Sequence, residues 1–184
     1  VESVSWDDAT GFCRRLSGRV SWTIRLPTEA EWEYACRAGT RTPFHTGATI
    51  STDQANYNGG EAYGTGRKGI YRGTTLSVGS FRPNAWGVYD MHGNLSEWCR
   101  DWYGEDYYSR SAADDPTGPP IGKHRVLRGG SWKGFPRFCR SARRNANDPT
   151  LALRTFGFRV VVPAVGAVLE AISPALDDTI PSKE

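Results

Sequence analysis

The sequence predicts an α+β domain of two helices, short strands and high loop content. Three observations carry that prediction. Two segments open on a reciprocal capping signal and close on glycine. Residues 40–80 are rich in Gly, Thr and Tyr and show no helical period. Two later runs, Arg125–Arg128 and 156–162, have strand character.

The first helix is expected over residues 6–16. Ser5 can accept from the backbone of its first turn, and Asp8 can return a bond to Ser5. Such a box satisfies N–H groups that a helix start leaves unpaired. Asp7 also suits the positive end of the helix dipole. Ala9, Phe12, Cys13 and Leu16 recur at the spacing of one helical face, and Gly18 ends the run. Thr28 and Glu31 form the second capping box, and Gly39 lies just past that helix. Trp32, Ala35 and Cys36 mark its inward face. Residues 40–80 read as loops with short strands, 75–81 among them, and the Pro/Gly/Asp-rich 109–122 reads as loop. Past Pro163 the pattern weakens: 164–172 can form a short helix and 177–184 reads as a frayed terminus. The domain is therefore assigned to 1–163, with 164–184 as an extension.

A chain of 184 residues suits one domain with a real core. Seven tryptophans, eight tyrosines and 21 glycines beside a single methionine favour an irregular fold pinned by aromatics over a helical bundle. The formal charge is only +3, although Arg137, Arg140, Arg143, Arg144 and Arg154 cluster. No nucleic-acid motif accompanies them, so no nucleic-acid partner is expected. Arg128, Arg143 and Arg159 read as internal guanidinium groups that tie loops through charge-assisted bonds. No apolar run approaches bilayer-spanning length. The cysteines, Cys13, Cys36, Cys99 and Cys139, form no CxxC pair, and Cys13 reads as a buried residue on a helix face.

Four islands then stand out in order. They are Arg25-Leu26-Pro27-Thr28-Glu29-Ala30-Glu31-Trp32-Glu33-Tyr34-Ala35-Cys36, then Asn84 through Asp90-Met91-His92-Gly93-Asn94-Leu95-Ser96-Glu97-Trp98, then Arg128-Gly129-Gly130-Ser131-Trp132, then Gly157-Phe158-Arg159. Together they resemble the sulfatase-modifying-factor family, which contains the formylglycine-generating enzymes. The resemblance implies a C-type-lectin-like fold of the formylglycine-generating-enzyme type. Family members usually carry strands before the point where this chain opens, so an amino-terminal truncation is expected.

The formylglycine generators oxidise a sulfatase cysteine to an aldehyde with oxygen and copper. Their site needs two cysteines five residues apart, soon after Gly-Gly-Ser, because soft thiolates suit Cu(I). Here only Cys139 follows Ser131. In one alignment Cys139 takes the second catalytic position and Gly134 the first. In the other, which the run Cys139-Arg140-Ser141-Ala142-Arg143 favours, Cys139 is structural and its disulfide partner is Cys36. Neither alignment supplies the copper dithiol, so no copper is expected.

The resemblance also marks a calcium loop. Asp90 and Glu97 would offer carboxylates, and Gly93 and Leu95 backbone carbonyls, a hard-oxygen set that suits Ca²⁺. A second family calcium site would use Asn56 and the carbonyl of Tyr57. No acid stands near its third position at 68–70, and that site is not expected.

The expected function is a non-catalytic module that binds a protein or a small ligand on a variable surface at 132–155. Lys133, Phe135, Arg137, Phe138, Arg144, Asn147 and 151–155 would form that surface, aromatic and Arg side chains being suited to such contacts. The competing expectations are a formylglycine-generating oxidase and an accessory domain of a larger enzyme or kinase.

Overall fold

The computed structural model describes residues 1–162; the expected 164–184 extension, with its helix at 164–172, lies outside the described residues. Both helices form where their capping boxes place them. Helix α1, Trp6–Ser17, starts at Ser5, whose hydroxyl accepts from the Asp8 N–H at 3.0 Å while Asp8 accepts from the Ser5 N–H at 3.0 Å. It buries Ala9 and Cys13. Phe12, expected inward, is instead 42 % exposed and meets Phe158 edge-on at 5.5 Å. The buried stripe is thus narrower than the apolar one. Helix α2, Glu29–Arg37, repeats the box through Thr28 and Glu31. It ends on Ala38 in the left-handed region, φ 45°, followed by Gly39 at φ 88°.

Strands β1 (Ser96–Trp102), β2 (Arg125–Arg128), β3 (Asn145–Asn147) and β4 (Phe156–Gly157) form one sheet in the order β3-β2-β1-β4. The β1–β2 and β2–β3 pairs are antiparallel, and β1–β4 is parallel, so the sheet is mixed rather than purely antiparallel. Strand β2 has the expected bounds. The 156–162 run keeps only β4 and an isolated bridge between Arg25 and Val161. Residues 75–81 form no strand. Leu76 is held by the Asn94 side chain, which accepts from its N–H at 2.9 Å and donates to its carbonyl at 3.2 Å. A side chain thus takes the bonds a ladder would have made. Strand β1 escaped the sequence reading because its first four residues are all buried, leaving no period-2 alternation to detect.

The core consists of three packed groups. Trp98, Leu127 and Phe156 lie with Ala9 and Cys13 under α1. Trp32, Cys36, Met91, Cys99 and Val126 lie under α2. Phe44, Ile50, Tyr57 and Cys139 anchor the irregular half. An ionic web ties α2 to the sheet. The fully enclosed Arg128 donates to the carbonyls of Arg143 (2.6 Å) and Ser141 (2.7 Å) and to the Glu33 carboxylate. Glu29 lies 3.6 Å from the same guanidinium and is gripped at both oxygens by Arg144, 2.7 Å each. Among the described residues no helix is long and apolar enough to cross a membrane.

Candidate functional site

A cleft of about 350 Å³ opens where the end of β2, the 131–138 loop, β3 and Thr155 meet. The Gly129-Gly130 pair makes it possible. Both residues have positive φ, 88° and 71°, and a Cβ on Gly130 would stand 2.7 Å from the Cys139 sulfur and 2.9 Å from the Phe138 carbonyl. Only glycine lets the strand turn away while the following loop closes this tightly. The lining holds two cations, Lys133 and Arg143, three hydroxyls from Ser96, Ser131 and Thr155, and the Asn145 amide. Phe138 supplies the aromatic wall, with the Arg143 guanidinium 5.3 Å from its ring centroid. Among the described residues no carboxylate, imidazole or thiol lines the cleft.

Of the expected surface residues, Lys133 and Phe138 belong to this lining, with Thr155 from the 151–155 run. Phe135 and Arg137 lie outside it. Arg137 packs over both Phe135 and Phe138 and pairs with Glu61 at 2.6 Å. Arg144 and Asn147 also lie outside the lining. Arg144 is 12 % exposed and is held by Glu29, Tyr103 and Tyr108, so it is a core tie rather than a ligand contact. Asn147 pairs with Arg125 in the β3–β2 ladder and stays out of the cleft. Arg143, expected internally, takes the exposed place. The two neighbouring arginines exchange the roles that the sequence suggested. Adjacent residues of an extended segment point to opposite sides, and composition does not tell which phase faces in. Ser96, Ser131 and Asn145 gave no sequence signal, because single small polar residues are common in any loop.

All four cysteines are free and buried. The disulfide implied between Cys36 and Cys139 is not formed. The His92 ring intervenes: its nitrogens lie 3.9 Å from the Cys36 sulfur, and its Nδ1 lies 2.7 Å from the Cys139 carbonyl. The Cys36 thiol also meets the Ser141 hydroxyl at 3.5 Å. His92 Nε2 accepts from the His45 N–H at 3.0 Å, so Nδ1 is the donor to Cys139 and the ring is neutral. Burial pushes the His92 pKa down to about 3, reinforced by His45 stacked on it. Desolvation likewise raises the thiols of Cys36 to about 11 and Cys139 to about 12. Burial thus disfavours the thiolate form at both sulfurs.

In the 90–97 loop the oxygen donors are differently committed. One carboxylate oxygen of Asp90 accepts from the Gly79 N–H at 2.8 Å. The carbonyls of Gly93 and Leu95 accept no backbone bond from the loops and turns among the described residues. Glu97 is occupied at both oxygens: Oε1 accepts from Arg159 at 2.7 Å, and Oε2 accepts from Arg159 and from the Trp32 indole at 2.7 Å. The donors match Ca²⁺ in type, while Arg159 already supplies the positive charge at Glu97. Asn56, of the second family calcium site, is buried. It spends its amide N–H bonds on the Thr74 carbonyl and Asn94.

This arrangement, two capped helices against a small mixed sheet with a Gly-Gly turn opening a cleft, defines a class. The profile described as Sulfatase-modifying factor enzyme 1-like domain matches residues 1–164, and the chain belongs to that family. It is 39 % identical over 161 residues to the serine/threonine-protein kinase pkn1 of Chlamydia pneumoniae, covering 86 % of this chain and 23 % of the kinase. To the formylglycine-generating enzyme of Streptomyces coelicolor it is 38 % identical over 175 residues, 86 % of this chain and 51 % of the enzyme. Among solved structures it resembles Treponema denticola variable protein 1, with TM-score 0.73, 28 % identity and coverage of 87 % and 69 % of the two chains. PvdO from Pseudomonas aeruginosa matches with TM-score 0.74, 31 % identity and coverage of 88 % and 61 %. The chain thus spans about a quarter of the kinase and half of the Streptomyces enzyme.

Proposed function

We propose that this domain is a ligand-binding module whose cleft receives an anionic group. The lining carries the argument: Lys133 and Arg143 beside Ser96, Ser131, Thr155 and Asn145, with no acid among the described residues to oppose an anion. The same lining offers no partner that would activate a serine as nucleophile and no thiolate for redox chemistry. Following the Asn145 side-chain amide by NMR during sulfate titration tests the reading. We expect a saturable shift, weakened at least tenfold in the Lys133→Ala/Arg143→Ala double variant. A response identical in that variant would move the anion elsewhere.

The second reading is formylglycine generation. Its support is the identity to formylglycine-generating enzymes, 38 % in Streptomyces coelicolor and 39 % in Bos taurus. Against it stands Cys139, fully buried with a thiol raised to about 12. Incubation with Cu(I), oxygen and a cysteine-containing sulfatase peptide decides between them. No hydrazide-reactive aldehyde is expected, and its appearance would install the oxidase reading in place of the first.

We further propose Ca²⁺ at Asp90, with the carbonyls of Gly93 and Leu95 and a share of Glu97. The support is the hard-oxygen character of these donors. A ligand at a hundredfold excess over its dissociation constant stabilises the fold by about 2.7 kcal/mol. For a domain of this size that is a rise in melting temperature of about 5–10 °C. Asp90→Ala is expected to abolish the rise. Superimposable melting curves in calcium and in chelator would leave Arg159 as the sole counter-charge to Glu97.

A further inference from the structure

A second cavity, about 670 Å³, lies between α1 and residues 23–26 and shares no lining residue with the cleft. Its walls include Trp6, Thr10, Ser17 and Ile24, and its charged members are Arg14, Arg25, Arg100 and Arg125. Among the described residues no carboxylate lines it. The four arginines are not equivalent. Arg25 is neutralised by Glu31, which accepts at both oxygens at 2.6 Å. Arg125 is clamped between the rings of Trp6 and Trp102, 3.7 and 3.4 Å from their centroids, and donates to the Arg100 carbonyl at 2.6 Å. Its Nε is buried without a partner among the described residues, and Asp101 and Asp7 act on it only at longer range. Arg14 and Arg100 are exposed at the rim and form no ion pair among the described residues.

We propose that this groove binds an acidic peptide segment carrying apolar anchors. Its carboxylates meet Arg14 and Arg100, and an apolar side chain packs against Trp6 and Ile24. Charge complementarity selects the sign of the occupant. Shape selects a chain: the wall runs along α1 from Trp6 to Ser17, about 16 Å at the helical rise, the length of about five extended residues. The indole–guanidinium–indole stack fixes one end of the groove before binding, so little ordering is required of the protein there.

The test uses the full chain and fluorescence anisotropy of a fluorescein-labelled nonapeptide of alternating Leu and Glu. Saturable binding is expected, falling steeply with salt and at least tenfold weaker in Arg14→Ala/Arg100→Ala. Both side chains are exposed, and unchanged melting of the variant verifies that its fold is kept. A Ser/Glu peptide of equal length should also bind at least tenfold more weakly, for want of an apolar anchor. Lys133→Ala/Arg143→Ala should bind the Leu/Glu peptide as the parent does, which separates this groove from the anion cleft. Absence of saturable binding, equal binding of a Leu/Lys peptide, or loss only in the Lys133/Arg143 variant would each overturn the proposal.

Discussion

Replacing Arg128 by alanine is expected to destabilise the domain by about 3–5 kcal/mol, the cost of breaking a buried ion pair from one side. Arg128 is 1 % exposed and joins Glu33, Glu29 and the carbonyls of Ser141 and Arg143 in one contact set. Its removal leaves Glu33 and Glu29 facing each other's charge, with Arg37 and Arg144 as their remaining partners. It also strips a donor from the buried Ser141 carbonyl and another from the part-buried Arg143 carbonyl. The comparison is Arg137→Ala, which breaks an ion pair whose side chains are 53 % and 46 % exposed. Solvent screening there limits the loss to about 1 kcal/mol or less. Urea unfolding of both variants measures the contrast. Equal losses would show that the web contributes no more than a surface pair.

Gly93→Ala is expected to cost about 3 kcal/mol or more, from left-handed strain and overpacking together. Gly93 has φ 83°, and a Cβ there would stand 2.3 Å from the Asn56 carbonyl oxygen and 2.9 Å from its carbon. Both atoms are backbone, so the strands of chain must separate. Their separation breaks the Asn94 N–H bond to the Asn56 carbonyl, 2.7 Å long, and the Asn56–Asn94 side-chain bond. Gly39→Ala is the matched comparison. Its φ is 88°, yet its Cβ would meet nothing within 4 Å, so only the left-handed strain of about 1–2 kcal/mol applies. Thermal melts of the pair, in chelator, isolate the steric part from any effect of calcium. If the two variants melt together, close approach at Gly93 is not what shapes the 90–97 loop.

The legible parts of this protein were those whose cause is local. Ser5 with Asp8, and Thr28 with Glu31, sit three residues apart, and each box formed as the sequence implied because both partners belong to the same helical turn. The resemblance of the islands picked out the Gly129-Gly130-Ser131 segment, and Lys133 and Phe138 after it lie in the cleft. Strand β1 was not legible, since a strand buried on both faces has no alternation to reveal it. Long-range partners were equally silent. Nothing within the 90–97 loop shows that the Glu97 oxygens bond Arg159, 62 residues later, and Trp32, 65 residues earlier. Arg143 and Arg144 carry the same charge on neighbouring residues. Only the packing of their segment against α2 decides that Arg144 meets Glu29 while Arg143 faces the cleft. The two helices and the tight Gly129-Gly130 turn follow from short-range hydrogen bonds and backbone sterics, so neighbours in the chain suffice to specify them. Which charges are spent inside and which remain for a ligand follows from packing, because it depends on which distant residues desolvate each other.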